Sequence, residues 1–184
     1  MFGAQLMMVL AMIEEALDQN RKRPFVTVGI GGQGGAGKST LARSIAEARL
    51  DVQIVATDSF WDGAQFDLPR LRNQVLDVLL MGQSAVYDEW DWHAKQCNQA
   101  RRVEPTGVVI IEGVCALHTM FRDDLDVRIW VDAPPAIRLE RGVARDGEAM
   151  RATWTQVWMP SEDAYVARDN PVAVAQFVVN GSGA

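Results

Sequence analysis

The sequence predicts an α/β domain in which helices cover both faces of a parallel sheet. Helix and strand signals alternate from end to end. The strand candidates end in glycine or an acidic residue, at the edge where such a sheet gathers its ligands. The chain's 184 residues, 48% of them hydrophobic, suffice for one domain with a full core.

The elements follow in order. Met1 to Leu17 is apolar at helical spacing, has no basic start and carries Glu14 and Glu15, so it reads as an amphipathic helix packing on the domain rather than a leader. The N-terminal segment 1–23 ends in Arg21-Lys22-Arg23, which suits a helix C-terminus, and Pro24 stops the helix. Phe25 to Ile30 is an apolar strand, and Leu41 to Ala48 is a helix. A second strand, Val52 to Thr57, runs into Asp58. The spacing of Leu71, Val75, Leu76, Leu79 and Leu80 predicts a helix from Pro69 to Met81, stopped by Gly82. Ser84 to Arg102 is polar and aromatic, with no assignable period. Val108 to Ile111 ends in Glu112-Gly113, and Val127 to Val131 ends in Asp132. Pro134 and Pro135 open a helix carrying Ile137, Leu139 and Val143. A break at Asp146-Gly147-Glu148 precedes a helical stretch from Thr153 to Val166, and Gln176 to Val179 is the last strand. No repeat or low-complexity linker interrupts the chain, so residues 1–184 read as one domain.

Composition narrows the function. A net charge of −6 and a pI near 4.9 argue against a duplex-binding surface. Cys97 and Cys115 form no C-x-x-C pair, and His93 and His118 lack zinc spacing, so reduced thiols in a cytoplasmic protein are expected. No apolar stretch reaches membrane-spanning length. Neither nucleic acid nor membrane is an expected partner, and the sequence leaves a homo-oligomer open.

The most informative segment is Gly32-Gln33-Gly34-Gly35-Ala36-Gly37-Lys38-Ser39, followed by Thr40, which fits the phosphate-binding pattern G-x-x-x-x-G-K-[ST] between a strand and a helix. Its glycines let the backbone approach a phosphate, and its successive N–H groups form an anion-binding concavity at a helix N-terminus. Lys38 supplies a point charge near β- and γ-phosphates, and Ser39 a hydroxyl for Mg²⁺. The segment implies a nucleoside triphosphate, with Gly32, Gly34, Gly35, Ala36, Gly37, Lys38, Ser39 and Thr40 as its cradle.

Asp58 suits two roles, a proton acceptor beside Mg²⁺–ATP or a helix N-cap. Glu112 suits either a second acidic group near Mg²⁺ or a strand-end turn. Arg138, Arg141 and Arg145 share one helical face, either solvated or part of a lid over phosphates that also includes Arg151. Phe60, Trp61, Phe66, Tyr87, Trp90 and Trp92 offer surfaces for a planar base, or fill the core. Asp67, Asp88 and Asp91 could receive sugar hydroxyls. A nucleotide-dependent switch is the competing class, but the Asn-Lys-x-Asp and Asp-x-x-Gly patterns of GTPases are absent.

From about Phe25 to Gly181 the chain resembles the uridine kinase family of P-loop nucleoside kinases, which is related to phosphoribulokinase and nicotinamide riboside kinase. The landmarks are Gly32 to Thr40, Thr57-Asp58-Ser59-Phe60-Trp61, Phe66-Asp67-Leu68-Pro69, Val86-Tyr87-Asp88, Ile110-Ile111-Glu112-Gly113 and Arg138-Leu139-Glu140-Arg141 through Arg145-Asp146. The resemblance implies a P-loop kinase fold: a five-stranded parallel sheet flanked by helices, with a short arginine-bearing lid at roughly 141–152. It implies ATP and Mg²⁺, and phosphoryl transfer to the 5′-hydroxyl of a nucleoside such as uridine or cytidine. By position, Asp58 is the base and a Mg²⁺ neighbour, Ser39 and Glu112 complete the metal environment, and Lys38, Arg141 and Arg145 bear the phosphate charge. Trp61, Phe66, Asp67, Tyr87 and His93 face the acceptor. Three departures bear on the acceptor. Trp61 replaces a tyrosine, His93 is shifted in spacing after Tyr87, and Gly142 stands where a second arginine is common. The segment Trp154 to Pro160 resembles the nicotinamide riboside kinase branch. Nicotinamide riboside, a sugar phosphate or a pantothenate-like molecule is therefore an alternative acceptor, and a nucleotide-binding regulatory protein is the alternative outside catalysis.

Overall fold

The computed structural model describes residues 2–20, 22–92 and 94–183. Strands β1 (Phe25–Gly31), β2 (Val52–Ala56), β5 (Gly107–Glu112), β6 (Val127–Asp132) and β7 (Phe177–Asn180) form a parallel sheet in the order β2-β5-β1-β6-β7. Strand β1 is central and buried along its whole length. This explains why Phe25-Val26-Thr27-Val28-Gly29-Ile30 shows no polar alternation: both of its faces meet apolar layers. Its one buried hydroxyl is satisfied, since Thr27 Oγ1 donates to Asp124 O at 2.6 Å. Asp126 Oδ2 accepts from Thr27 N at 2.7 Å, and Asp126 Oδ1 from Arg23 at 2.7 Å.

One face of the sheet carries α1 (Gly3–Gln19) and α2 (Lys38–Ala48). Val9, Ile13, Leu41 and Ile45 are buried there against Val26, Val28, Ile110 and Ile129. The N-terminal helix therefore packs as its apolar spacing predicts. Its end differs from expectation: Asn20 is the C-cap, no basic residue lies in the last turn, and Arg23 is engaged by Asp126 instead.

The other face is covered by α3, a continuous helix over 68–80 whose middle turn, Arg72–Leu76, is widened to π geometry. Leu71, Val75, Leu76 and Leu79 point inward, as their spacing predicts, and Gly82 follows with φ of 75°. The stretch that the sequence leaves unassigned is an antiparallel hairpin, β3 (Ala85–Asp91) and β4 (Gln96–Val103), with an irregularity at Glu89/Trp90. Seven of the eight β4 residues are exposed, so no period-two apolar signal arises. Near β2, on the sheet edge, the Gln53 side chain donates to Glu104 O at 2.9 Å and accepts from Glu104 N at 2.7 Å.

After β6 comes α4 (Pro135–Asp146), stopped at Gly147 with φ of 95°. A single turn, Glu148–Met150, leads into helix α5 over 151–169, and a short α6 (Pro171–Val174) precedes β7. Helix α5 runs through Pro160, which cannot donate a backbone hydrogen bond. The turn just before it, Trp154–Trp158, is widened to π geometry, a usual way for a helix to absorb such a defect. Among the described residues, no helix is long and apolar enough to cross a membrane.

Candidate functional site

The parallel sheet directs the ends of β1, β2 and β5 to one edge, and the predicted phosphate loop lies there. Gly37 is the N-cap of α2 with φ of 106°, so the loop leads directly into that helix's positive end. A Cβ on Gly35 would meet Arg138 O at 2.4 Å, so the loop lies directly against the backbone of α4. Lys38 is buried, and its Nζ donates to Gln33 O at 3.0 Å. Burial pulls the ammonium below the ordinary lysine value, while Glu112, Asp58 and Glu162 hold it up. Ala36 is buried, and Thr40 lies in the first turn of α2.

Ser39 Oγ donates to Glu112 Oε1 at 3.0 Å. Glu112 is the last residue of β5 and is buried, and that burial pushes its carboxyl above the usual range against the opposing charge of Lys38. This hydroxyl–carboxylate pair consists of hard oxygen donors, which suits Mg²⁺. That ion binds through one or two carboxylates and keeps its water and phosphate ligands. Among the described residues, no cluster of three or more His, Cys, Asp or Glu side chains competes as a metal cage.

Asp58 sits in a single turn, Thr57–Phe60, after β2. Ala56, not Asp58, is the N-cap of that turn, so the capping role does not account for Asp58. Its carboxylate is exposed and acts electrostatically on Lys38, Glu112 and the Cys115 thiol. Gly113 brings the two acidic residues together: its φ is 145°, and a Cβ there would fall 1.8 Å from Thr57 Oγ1. The ends of β5 and of the Asp58 turn are thus in direct contact.

The aromatic residues divide into two groups. Trp61 bridges to Phe66, with ring centroids 5.2 Å apart, and lies 5.4 Å from Trp92. Tyr87 is instead buried and stacked on Phe60 at 4.8 Å, its phenol pushed up to about 12 by burial and then by Glu89. A cleft of about 470 Å³ passes beside Tyr87, Ser59, Glu89 and Arg101. Asp67 caps α3, its Oδ1 accepting from Arg70 N at 3.0 Å, so one of its oxygens already has a local partner. His93 lies outside the described residues.

The arginine face splits into three roles. Arg138 is buried, and its Nε donates to Ala133 O at 3.1 Å. Arg141 donates to Gly181 O at 2.8 Å, Ser182 O at 2.7 Å and Gly35 O at 3.3 Å, which ties the loop to the end of β7. Arg145 remains largely exposed, paired with Asp146 at 2.7 Å, its guanidinium 5.8 Å from the Trp154 ring centroid. The fields of Asp58 and Glu162 reach Arg145, so this arginine lies toward the site.

Sequence reasoning missed Trp154 and Glu162 as parts of the site. Both lie on α5 and reach the loop only through tertiary packing, so no local spacing could mark them. Glu162 Oε2 accepts from Gly34 N at 2.9 Å, and Asp163 Oδ1 accepts from Gln33 Nε2 at 2.6 Å. Trp154 is buried and donates to Asp146 Oδ2 at 2.9 Å. The one legible signal was Gly142. A Cβ on that residue would come within 2.4 Å of the Trp154 indole, so the missing arginine makes room for the ring. Gly142→Arg is therefore expected to destabilise the fold by overpacking, at a cost of about 1–3 kcal/mol. A thermal melt would read this as a fall of roughly 2–4 °C per kcal/mol. An unchanged melting temperature would show that the indole is not fixed in that notch.

A protein-family model described as an AAA domain matches residues 28–164. A uridine kinase of Halobacterium salinarum is 30% identical over 143 residues, covering 67% of this chain and 63% of that protein. The chain therefore spans less than two thirds of that relative's length. A uridine kinase of Alkaliphilus metalliredigens is 29% identical over 154 residues, covering 72% of this chain and 73% of its own. Among solved structures, a possible uridine kinase from Bacillus stearothermophilus matches in fold, with a TM-score of 0.67 and 16% identity. That match covers 94% of this chain and 100% of the other.

Proposed function

We propose, on the premise that this chain belongs to the AAA domain family and is uridine kinase-like among its relatives, that it transfers the γ-phosphate of ATP to a hydroxyl of a small molecule. The relatives' names favour a nucleoside as the acceptor, and its 5′-hydroxyl is the group proposed to take the phosphate. One observation carries the reading. The hydrogen-bonded Ser39–Glu112 pair lies beside a buried lysine, and the exposed Asp58 carboxylate is within electrostatic reach of both.

The loop N–H groups and Lys38 hold the polyphosphate and oppose its charge. Ser39 and Glu112, with Asp58 nearby, would hold Mg²⁺, whose charge would offset that of the polyphosphate. Asp58 orients the acceptor hydroxyl and takes its proton as the oxygen attacks the γ-phosphorus, while the bond to the β,γ-bridging oxygen breaks and ADP leaves. Arg145 adds positive charge at the rim, and Arg141 keeps the loop in register with β7. Trp61 and Phe66 supply apolar surface for the acceptor, with Asp67, Tyr87 and His93 as further candidate contacts. This chemistry relies on placement and charge neutralisation rather than a covalent intermediate.

The test is a panel of nucleosides, nicotinamide riboside, sugars, sugar phosphates and pantothenate, each incubated with γ-labelled ATP and Mg²⁺. Label transfer to pyrimidine nucleosides is expected. Transfer only to another class keeps the reaction and changes the acceptor. Hydrolysis that no acceptor stimulates would overturn the kinase reading.

A further inference from the structure

One donor of the phosphate cradle already has an anionic partner. Gly34 N donates to Glu162 Oε2, a carboxylate brought from α5 across 128 residues of chain. Burial pushes this carboxyl above its ordinary range, while the Gly34 N–H, Lys38 and Arg138 draw it back. Its second neighbour is Arg138 Nη1 at 3.6 Å. That nitrogen is buried and forms no hydrogen bond. A carboxylate therefore occupies a backbone donor of the loop and faces a desolvated guanidinium, beside the lysine that serves the β- and γ-phosphates. These are the groups that an added phosphate would seek.

The neighbouring contacts make this a built feature rather than a passing one. Asp163 engages Gln33 in the same loop, and a Cβ on Gly34 would come within 2.8 Å of both Glu162 Oε1 and the Trp154 ring. Helix α5 is thus seated on the first half of the loop through two acidic side chains and an indole.

We infer that Glu162 is a positioning residue that sets how strongly the site distinguishes a nucleoside triphosphate from a diphosphate. Its carboxylate holds the Gly34 donor and faces the Arg138 charge until a terminal phosphate takes its place. Two anions cannot share these donors, so binding of the third phosphate carries the cost of displacing Glu162. On this inference a diphosphate, one phosphate shorter, leaves Glu162 in place and carries no such cost. The inference rests on the loop binding a nucleotide, not on the phosphoryl transfer proposed above.

Calorimetric titration of the whole chain with ATP and with ADP, both with Mg²⁺ and without acceptor, tests it. Glu162→Gln keeps an oxygen for Gly34 and removes the charge. Its ATP affinity is expected to rise about fivefold or more, the lower end of typical coupling between competing sites, with ADP affinity nearly constant. Glu162→Asp withdraws the carboxylate by one methylene and is expected to shift the ATP-to-ADP ratio in the same direction, which covers the case where the glutamine variant fails to fold. A general structural role would move both affinities together, and that result would overturn the inference, as would weaker ATP binding. Loss of all nucleotide binding in the unmodified chain would overturn the cradle reading itself.

Discussion

Asp58→Asn is expected to lower turnover by about 10²–10⁴-fold, the usual contribution of a positioned general base, while leaving ATP affinity little changed. Asparagine keeps the size and one oxygen of the side chain but cannot accept a proton at neutral pH. Asp58 is exposed on its turn and caps no helix, so the substitution is not expected to cost more than about 0.5 kcal/mol of stability. Chemistry and folding are therefore separable in this variant. The measurement pairs initial rates with the best acceptor from the panel and calorimetric ATP binding. Turnover within a few-fold of the parent would remove Asp58 from the proton path.

Lys38→Ala is expected to weaken ATP binding and to lower turnover by roughly 10²–10³-fold, the scale of losing one preorganised charge in a water-poor site. The side chain is buried, and its ammonium donates to Gln33 O at 3.0 Å. Without it, Glu112, Asp58 and Glu162 lose a buried cation that opposes their field, so an incoming polyphosphate meets a more negative potential. Circular dichroism and a thermal melt establish that the variant folds. Steady-state kinetics matching the parent would contradict the assignment of the loop.

Much of this was legible in the sequence because the signals were local. The strand at Val108 is a continuous apolar run buried as such runs require, and the strand at Val127 is apolar but for the half-buried Arg128. The loop from Gly32 to Thr40, the Asp58 turn and Glu112 occupy consecutive strand ends, which parallel topology gathers at one edge. What was not legible depends on distant packing or on polar pairing. Strand β4 buries only Val103 and is held by β3, so its own residues give no period. The helix over 151–169 carries Pro160, which locally argues against continuity, and the widened turn before it appears only in three dimensions. Arg138, Arg141 and Arg145 share a face by spacing, yet they separate into a buried residue, a carbonyl clamp and an exposed rim charge. Periodicity fixes direction from the helix axis, whereas depth depends on what the neighbouring elements present.

The Gln53 side chain, bonded both ways to the main chain of Glu104, has a consequence for how copies of this protein meet in crowded solution. Terminal strands of open sheets invite recruitment of a neighbour's backbone, the first step toward ribbon-like aggregates. Here the amide holds the Glu104 main chain beside the border strand, so a foreign strand docking there meets a segment of the same chain already anchored next to it.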